Sequence, residues 1–470
     1  MSKIAVFGCG LVTPPFIRYF NRLGVQQIIA TRTPSRIQQV VKLLKHPELI
    51  EVVACDVNTD NNLVRSIVAK CDAVASMLPA SSHFLVLQHC VAQGVSAVTP
   101  SVASDAVRTL DQPAKKAGVL LLNECGQSPG LDHVDTIRLA NMIHTTGGKI
   151  RGYTSLSGSL ATVEGLDNPL EAKLTWSPHD WLMHSWNPAC YLRKGLIVDV
   201  PWNELYIPRN LGTDTYPSLG NVVWFYNRDA TMYTKLYGLN DVMQAERGVH
   251  DYPKAMRFIR ALQQLGLTSV KHMPRLGGIS FLQFLKQVNE CVVVKPTTIV
   301  SDNLTEQIKN DVRIALERCD DVNAEEILDM MDFIGLFSNV LKIPEGPKCA
   351  LEVIAHALQK ITIRAGEPDS AVNRQIMQIE RKDGSWEEWR STLEIHGQFL
   401  GKEDDSAAAK LTGLPVAVAV KLLLEKKLPR DIVGVNRPII PDLYNPILDG
   451  LEELGVQFRI AKRLMNPILN

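Results

Sequence analysis

Short apolar runs punctuate the first quarter of the chain at regular intervals: "KIAVFG", "QQIIAT", "IEVVAC", "DAVASML", "SAVTP" and "GVLLLNE" all fall between residue 3 and about residue 125. Between them lie segments with helical spacing, Phe16 to Leu23 and Arg36 to Leu44 among them. Strands that are apolar throughout are buried on both faces, and their alternation with amphipathic helices is the pattern of a parallel sheet covered on each side. The first region is therefore predicted to be a doubly wound α/β domain.

After residue 150 the texture changes to mixed strands, "IRGYTSLSGSL" and "GLIVDV", separated by loops rich in Trp and Pro such as "LTWSPHDWLMHSWNP". From about 253 to 365 the spacing is mostly helical, as in "YPKAMRFIRALQQLGL" and "QIKNDVRIALERC". Near the end "KDGSWEEWRSTLEIHG" alternates like a strand and "GLPVAVAVKLLLEKK" reads as an apolar helix.

The link between the first strand and the first helix reads "GCGLVTPP". Gly8 and Gly10 stand where a tight turn brings the backbone close to a pyrophosphate over a helix N-terminus. The place of a third glycine holds Thr13, and Pro14 and Pro15 fall in the first helical turn, where a missing N–H costs little. The alternative is a strand-to-helix turn that binds nothing. The second strand ends "IIATRTPSR", with Arg32 where an NAD-specific enzyme places an acidic residue on the ribose 2′-hydroxyl. A guanidinium there pairs with a 2′-phosphate and Arg36 adds a second charge, so NADP(H) is expected; the alternative is a solvated loop arginine.

Composition narrows the classes. The 470 residues are 46% hydrophobic, enough for two or three domains, and 50 Lys and Arg balance 50 Asp and Glu. No global field draws such a chain to nucleic acid or to a membrane surface, so neither is an expected partner. Nine cysteines without a C-x-x-C argue against a disulfide framework or a zinc ribbon, and a reducing, cytoplasmic location is expected. The N-terminal apolar run stops after Phe7 and the run Val416 to Leu424 is interrupted by Lys421, so neither a signal peptide nor a membrane span is expected. His179 and His184 are five residues apart, do not share a helical face and have no third ligand nearby, so no metal is expected.

The segments "NECGQSPGLDH", "SGSL", "DNPLEAKLTWSP", "YNRDATMY" and "ERGVHDY", together with "GCGLVTPP" and "AKLTGLPVAVAVKLLLE", resemble the saccharopine dehydrogenase family, L-glutamate-forming type, over nearly the whole chain. The resemblance implies an α/β fold: an NADP-binding Rossmann domain with a doubly wound parallel sheet (1–130), and a second α/β, mixed-sheet domain for substrate and dimerisation (131–252 and 366–400). It further implies a helical insertion (253–365) and a C-terminal segment packing back near the Rossmann domain (401–470). It implies a homodimer acting on a small molecule, and interconversion of saccharopine with L-glutamate and 2-aminoadipate 6-semialdehyde. The cofactor positions it implies are Gly8, Cys9, Gly10, Leu11 and Val12 in the phosphate loop, Thr31, Arg32 and Thr33 at the adenine-ribose turn, Asp56 and Val57 after the third strand and Leu78 after the fourth. Ser101, Ser128, Pro129 and Ser177 complete that set.

On the substrate side the chain departs from the family pattern. Ser101-Val102 stands for a Ser-Tyr pair, Gln127-Ser128-Pro129-Gly130 for Leu-Asp-Pro-Gly, Ser157 for a cysteine, and Asp251 for the second arginine of "R-G-T-L-R-Y". Arg228 keeps an expected substrate contact, and Ser101, Val102, Ser128, Arg247 and Asp251 make up the rest of the candidate pocket. Saccharopine carries three carboxylates that demand matched cations. Arg228, Arg247 and Lys173 are candidates, the last two equally readable as structural ion-pair residues. Serine cannot replace the family's aspartate as a proton carrier near neutral pH, so no general acid or base is singled out. Asp132 reads as readily as a helix cap, and His250 as a polar contact, as they do as proton carriers. Asp251 reverses the local charge and favours an amine or neutral group beside it, unless it turns outward into a surface ion pair. Three functions stay open: saccharopine oxidoreduction, the same chemistry on a carboxyalkyl-amine or carboxylated polyamine, and a catalytically silent NADP-binding regulator.

Overall fold

The structure is a computed structural model that describes residues 2–292, 303–318, 322–364, 366–397 and 405–466; parts of the expected helical insertion (293–302, 319–321, 365) and of the C-terminal segments (398–404, 467–470) lie outside the described residues. Two compact units divide the chain: the first holds Met1–Ser157, Lys235–Val242 and Ser370–Asn470, the second Gly158–Thr234 and Met243–Asp369.

In chain order the first stretch runs β1 (Lys3–Phe7), α1 (Pro14–Arg22), β2 (Gln26–Thr31), α2 (Pro34–Lys42), β3 (Ile50–Ala54), α3 (Asn61–Val68), β4 (Ala73–Ser76), α4 (His83–Gln93), β5 (Ala97–Val98), α5 (Asp105–Arg108), α6 (Asp111–Ala117), β6 (Leu120–Leu122), α7 (Leu131–Thr145) and β7 (Lys149–Ala161). The next runs α8 (Pro178–Met183), β8 (Ala189–Arg193), β9 (Leu196–Val200), β10 (Leu211–Tyr216), β11 (Gly220–Tyr226), α9 (Thr231–Leu236), β12 (Gln244–Asp251), α10 (Pro253–Gln264), α11 (Phe281–Val292), α12 (Leu304–Leu316), α13 (Ala324–Phe333) and α14 (Ala350–Ala357). The chain ends β13 (Asp369–Glu380), β14 (Trp386–His396), α15 (Ala407–Leu424), β15 (Gly434–Asn436), α16 (Pro441–Glu452) and β16 (Arg459–Met465).

All six apolar runs of the first region become strands of one parallel sheet, in the order β15-β6-β5-β4-β1-β2-β3. β1 lies between β2, with Ile4 opposite Gln27, and β4, with Ile4 opposite Ala73. Its alternate residues enter different cores: Ile4 and Val6 join the cluster under α1, α15 and α16, while Ala5 and Phe7 join the one under α3 and α4. This two-sided burial is what made the runs apolar throughout. The seventh strand comes from the far end of the chain, where Val435 pairs in parallel with Leu121 of β6. The second sheet is mixed as expected; its antiparallel pairs include β10 with β11 and β11 with β12 in the second unit, and β13 with β14 and β14 with β16 in the first.

Helix α15 is long and apolar enough by length and composition to cross a bilayer, yet 67% of it lies buried inside the protein. Its valines and leucines pack on α1 and the parallel sheet, each contributing roughly 1.5–3 kcal/mol when fully buried. Core packing accounts for its apolarity.

Candidate functional site

The residues assigned to the cofactor from β1 to β4 gather at the carboxyl ends of these parallel strands in the first unit. Gly8 has φ +94, and a Cβ there would lie 2.7 Å from the Met77 carbonyl oxygen and 3.1 Å from Leu78. Only glycine fits that turn, because the left-handed backbone and the close carbonyl exclude a side chain together. Gly10 is different: a Cβ on it would meet nothing within 4 Å, and the residue is exposed. The fold does not need a glycine there, whereas a ligand approaching the backbone does, and this open cradle fits a pyrophosphate.

Thr13, fully buried in place of the third glycine, closes the loop: its hydroxyl accepts from the Gly10 N–H at 3.2 Å and its own N–H donates to the Gly10 carbonyl at 3.3 Å. The close approach that a third glycine permits has moved to α15. A Cβ on Gly413 would sit 2.7 Å from the Val12 carbonyl oxygen. No local reading of the loop reveals this partner 400 residues away. The Cys9 thiol is pushed up to about 11 by burial, with Arg36 drawing it back, so it is no nucleophile.

At the end of β2, Thr31 is buried and its hydroxyl accepts from the Thr33 N–H, while Arg32 and Arg36 are exposed. Arg36 acts on Cys9 and Arg32 on Asp56, so one guanidinium stands beside the phosphate loop and the other beside the turn after β3. Asp56 is held below the usual carboxylate range, first by the backbone and side chain of Asn58 and then by Arg32. Val57 and Leu78, partly buried, pack on the core beneath. Two exposed cations over an open glycine loop suit a phosphorylated ribose.

Beyond β5 and β6, the Ser101 N–H donates to Thr99 and its carbonyl accepts from Glu124, while Val102 is exposed. Ser128 lies in a loop closed by Gly130, whose Cβ would fall 2.1 Å from the Gly126 carbonyl, and Pro129 accepts from the Gly126 N–H through its own carbonyl. Asp132 takes the capping role: one oxygen accepts from Ser128 Oγ at 2.9 Å, the other from the N–H groups of Gly130 and His133. Behind it, His133 Nε2 is 2.9 Å from Glu124, which also pairs with Arg437 at 2.8 Å. The Glu124–Arg437 pair, joining residues far apart in sequence, escaped sequence reasoning.

The remaining candidates lie in the second unit, except Ser157, which is buried in β7 at the end of the first. Ser177 caps α8, accepting from the Asp180 N–H. Arg228 is exposed with φ +59, a left-handed conformation rare for a side-chain-bearing residue, held by the Cys190 N–H donating to its carbonyl at 3.0 Å. Such local strain, of order 1–3 kcal/mol, concentrates at ligand sites. Arg247 is buried, its guanidinium 4.6 Å from the centre of the Tyr233 ring. Both arginines act on His184, which burial first and these cations next lower to about 4.

Lys173 takes the structural role, pairing with Glu367 at 2.7 Å and Asp167 at 3.0 Å. His250 contacts Asp214 at 3.3 Å, a polar contact inside the fold. Asp251 does not turn outward into a surface ion pair: it is 4% exposed and accepts from Trp181 Nε1 at 2.7 Å and from the Tyr252 N–H at 2.8 Å. The end of its strand carries it inward, and burial pushes its carboxyl up to about 6. Among the described residues no group of three His, Cys, Asp or Glu side chains is placed to hold a metal.

Residues 4–122 match the saccharopine dehydrogenase NADP binding domain and residues 126–456 the saccharopine dehydrogenase C-terminal domain. The chain belongs to the saccharopine dehydrogenase family. Among its relatives, the NADP(+), L-glutamate-forming saccharopine dehydrogenase of Pyricularia oryzae is 30% identical over 96% of this chain and 97% of that protein. The mitochondrial alpha-aminoadipic semialdehyde synthase of Rattus norvegicus is 28% identical over 97% of this chain, which spans 47% of that longer protein. The apo structure of the L-Glu-forming saccharopine dehydrogenase of Saccharomyces cerevisiae superposes with a TM-score of 0.82 at 27% identity, covering 98% of this chain and 100% of that one. This family membership and the loop geometry agree on NADP(H) as the cofactor.

Proposed function

We propose that this family member is an NADP(H)-dependent oxidoreductase acting on a C–N bond, interconverting saccharopine and water with L-glutamate and 2-aminoadipate 6-semialdehyde. The observation that carries the reading is the open cradle at Gly10 flanked by Arg32 and Arg36, in a chain matched along nearly its whole length by an L-glutamate-forming saccharopine dehydrogenase. In this reading the Gly8–Val12 loop receives the pyrophosphate, Arg32 and Thr33 face the 2′-phosphate, and Asp56, Val57 and Leu78 border the adenine side. Bound NADPH supplies the hydride that reduces the C=N bond.

The protein's own part is binding and alignment. Arg228 anchors a substrate carboxylate and Arg247 a second. Asp132 holds Ser128 in place beside the helix α7 N-terminus, so the loop is preorganised by a buried carboxylate. Ser101, Val102, Pro129 and Ser177 complete the contacts of the reading. We further propose a cytoplasmic homodimer; balanced charge and buried, unpaired Cys55, Cys71, Cys90, Cys125 and Cys349 support a reducing location.

The test is NADPH consumption with 2-aminoadipate 6-semialdehyde and L-glutamate, then with a panel of other amines and 2-oxo acids. Turnover with the first pair is expected. Turnover with a different pair alone would move the substrate and keep the chemistry.

A further inference from the structure

Within the second unit, Leu160, Lys173, Trp176, Trp181, His184 and Asp251 are among the residues lining a cavity of about 20 Å³, the room for one small polar group; the Lys173 ammonium there is held by Glu367 and Asp167. Asp251 is buried and, among the described residues, makes no ion pair; its two partners are neutral N–H donors, which leave further lone pairs open. The buried Nδ1 of His184, whose ring lies 5.2 Å from Trp176 and 6.2 Å from Phe225, has no hydrogen-bond partner among the described residues. The Tyr206 hydroxyl, in a residue 3% exposed, has none either; its ring packs edge-on to Phe225 at 5.0 Å and it feels the charge of Asp251.

A buried carboxylate without a counter-ion is costly unless something supplies a positive charge or donors. The histidine is neutral near pH 7, being lowered to about 4, and so offers a lone pair rather than a charge. A hydroxyl accepts as well as donates. Tryptophan faces favour a cation further. The missing occupant is a compact group with several N–H donors and a positive charge, and a primary ammonium has three such donors and no acceptor. Arg228, exposed and near enough to act on His184, offers a charge for a carboxylate of the same ligand.

We propose that this cavity is the seat of a primary ammonium group of the substrate, with Asp251 as its counter-ion and His184 and Tyr206 as its neutral acceptors. The inference deepens the proposed function, on which it rests for the choice of ligand: the arm bound here is that of a 2-amino acid, and Asp251 is a specificity residue that selects for the amine.

Two ligands differing only in the amine, L-2-aminoadipate and hexanedioate, test this by titration calorimetry with NADP+ saturating. The wild type is expected to bind the amino acid at least about tenfold more tightly, as a charge-assisted hydrogen bond implies. Asp251→Asn is expected to reduce that advantage to about threefold or less. Should Asp251→Asn fail to fold, Tyr206→Phe, a gentler change, is expected to shrink the advantage in part. If hexanedioate binds the wild type as tightly as L-2-aminoadipate, or L-2-aminoadipate does not bind, or the advantage survives these substitutions, the cavity holds only a water and the proposal is wrong. An amine preference that depends on Asp251, in a protein that does not turn over saccharopine, would count against the imine chemistry and leave the seat standing.

Discussion

In the first unit the charged groups placed at the cofactor, Arg32 and Arg36, are exposed beyond a parallel strand, and backbone shape does most of the selecting: a left-handed Gly8, an open Gly10, and a Thr13 hydroxyl closing the loop. In the second unit the charged groups sit inside or against the fold, with Arg247 under Tyr233, Asp251 behind Trp181, and Arg228 exposed on a strained backbone. A backbone cradle is built from N–H groups and turn geometry, so it depends less on the side chains around it. A buried charge has its energy set by its neighbours, so a change there is felt more strongly than a change at an exposed side chain.

Acid should separate the two most strongly. His83 in the first unit and His184 in the second are both lowered to about 4 by burial. A histidine whose folded pKa is depressed contributes stability that is present above the unfolded value near 6.5 and lost as pH falls toward 4, about 3 kcal/mol for each. Asp251 works the other way: its raised folded pKa means that stability falls as pH rises from about 4 to about 6, also by about 3 kcal/mol. Urea unfolding between pH 4.5 and 7.5 is expected to show a steeper acid loss in Asp251→Asn than in the wild type, and a shallower one in His83→Gln. Parallel profiles for the three proteins would contradict the assigned burial.

Replacing the two loop glycines one at a time sharpens the contrast within the first unit. Gly8→Ala is expected to lose about 3 kcal/mol or more of stability and at least about 100-fold in NADPH affinity, since φ and the Met77 carbonyl both oppose it. Gly10→Ala is expected to leave thermal unfolding within about 0.5–1 kcal/mol of the wild type while still weakening NADPH. Equal destabilisation by both would mean that Gly10 serves the fold rather than the ligand.

Arg228→Ala probes the second unit directly: substrate binding is expected to weaken by roughly 2–5 kcal/mol with NADPH affinity unchanged, as measured by KM and by cofactor titration. Unaltered kinetics would remove Arg228 from the site. The smallest effect belongs to the first unit's exposed charge. Arg32→Asp is expected to reverse or abolish an NADPH preference over NADH worth roughly 1.5–3 kcal/mol. Equal affinity of the wild type for both cofactors would leave Arg32 a solvated loop residue.

The six strands, the first helices and the glycine loop were legible because each is a local signal: a run of apolar residues, a turn that only glycine adopts, a guanidinium at the end of β2. Gly413 against Val12, Arg437 on Glu124 and β15 beside β6 were not, because nothing near one partner announces the other. Asp251 was visible as a change of sign in the family pattern, but its direction was open; only the packing of Trp181 and Tyr252 around it shows that it faces inward. His184 passed in sequence as a discarded metal ligand, since its importance comes from the unsatisfied nitrogen in a cavity and not from its spacing.

Hydride transfer to an imine carbon leaves an isotopic mark on the product. L-Glutamate and 2-aminoadipate 6-semialdehyde are incubated with the protein and NADPH carrying deuterium at the transferable position of the nicotinamide, and the product is read by mass spectrometry. The expected product is saccharopine one mass unit heavy, with the deuterium on the carbon that was the aldehyde. Unlabelled product, or NADPH that binds and is not consumed by this or any other amine and carbonyl pair, would contradict it.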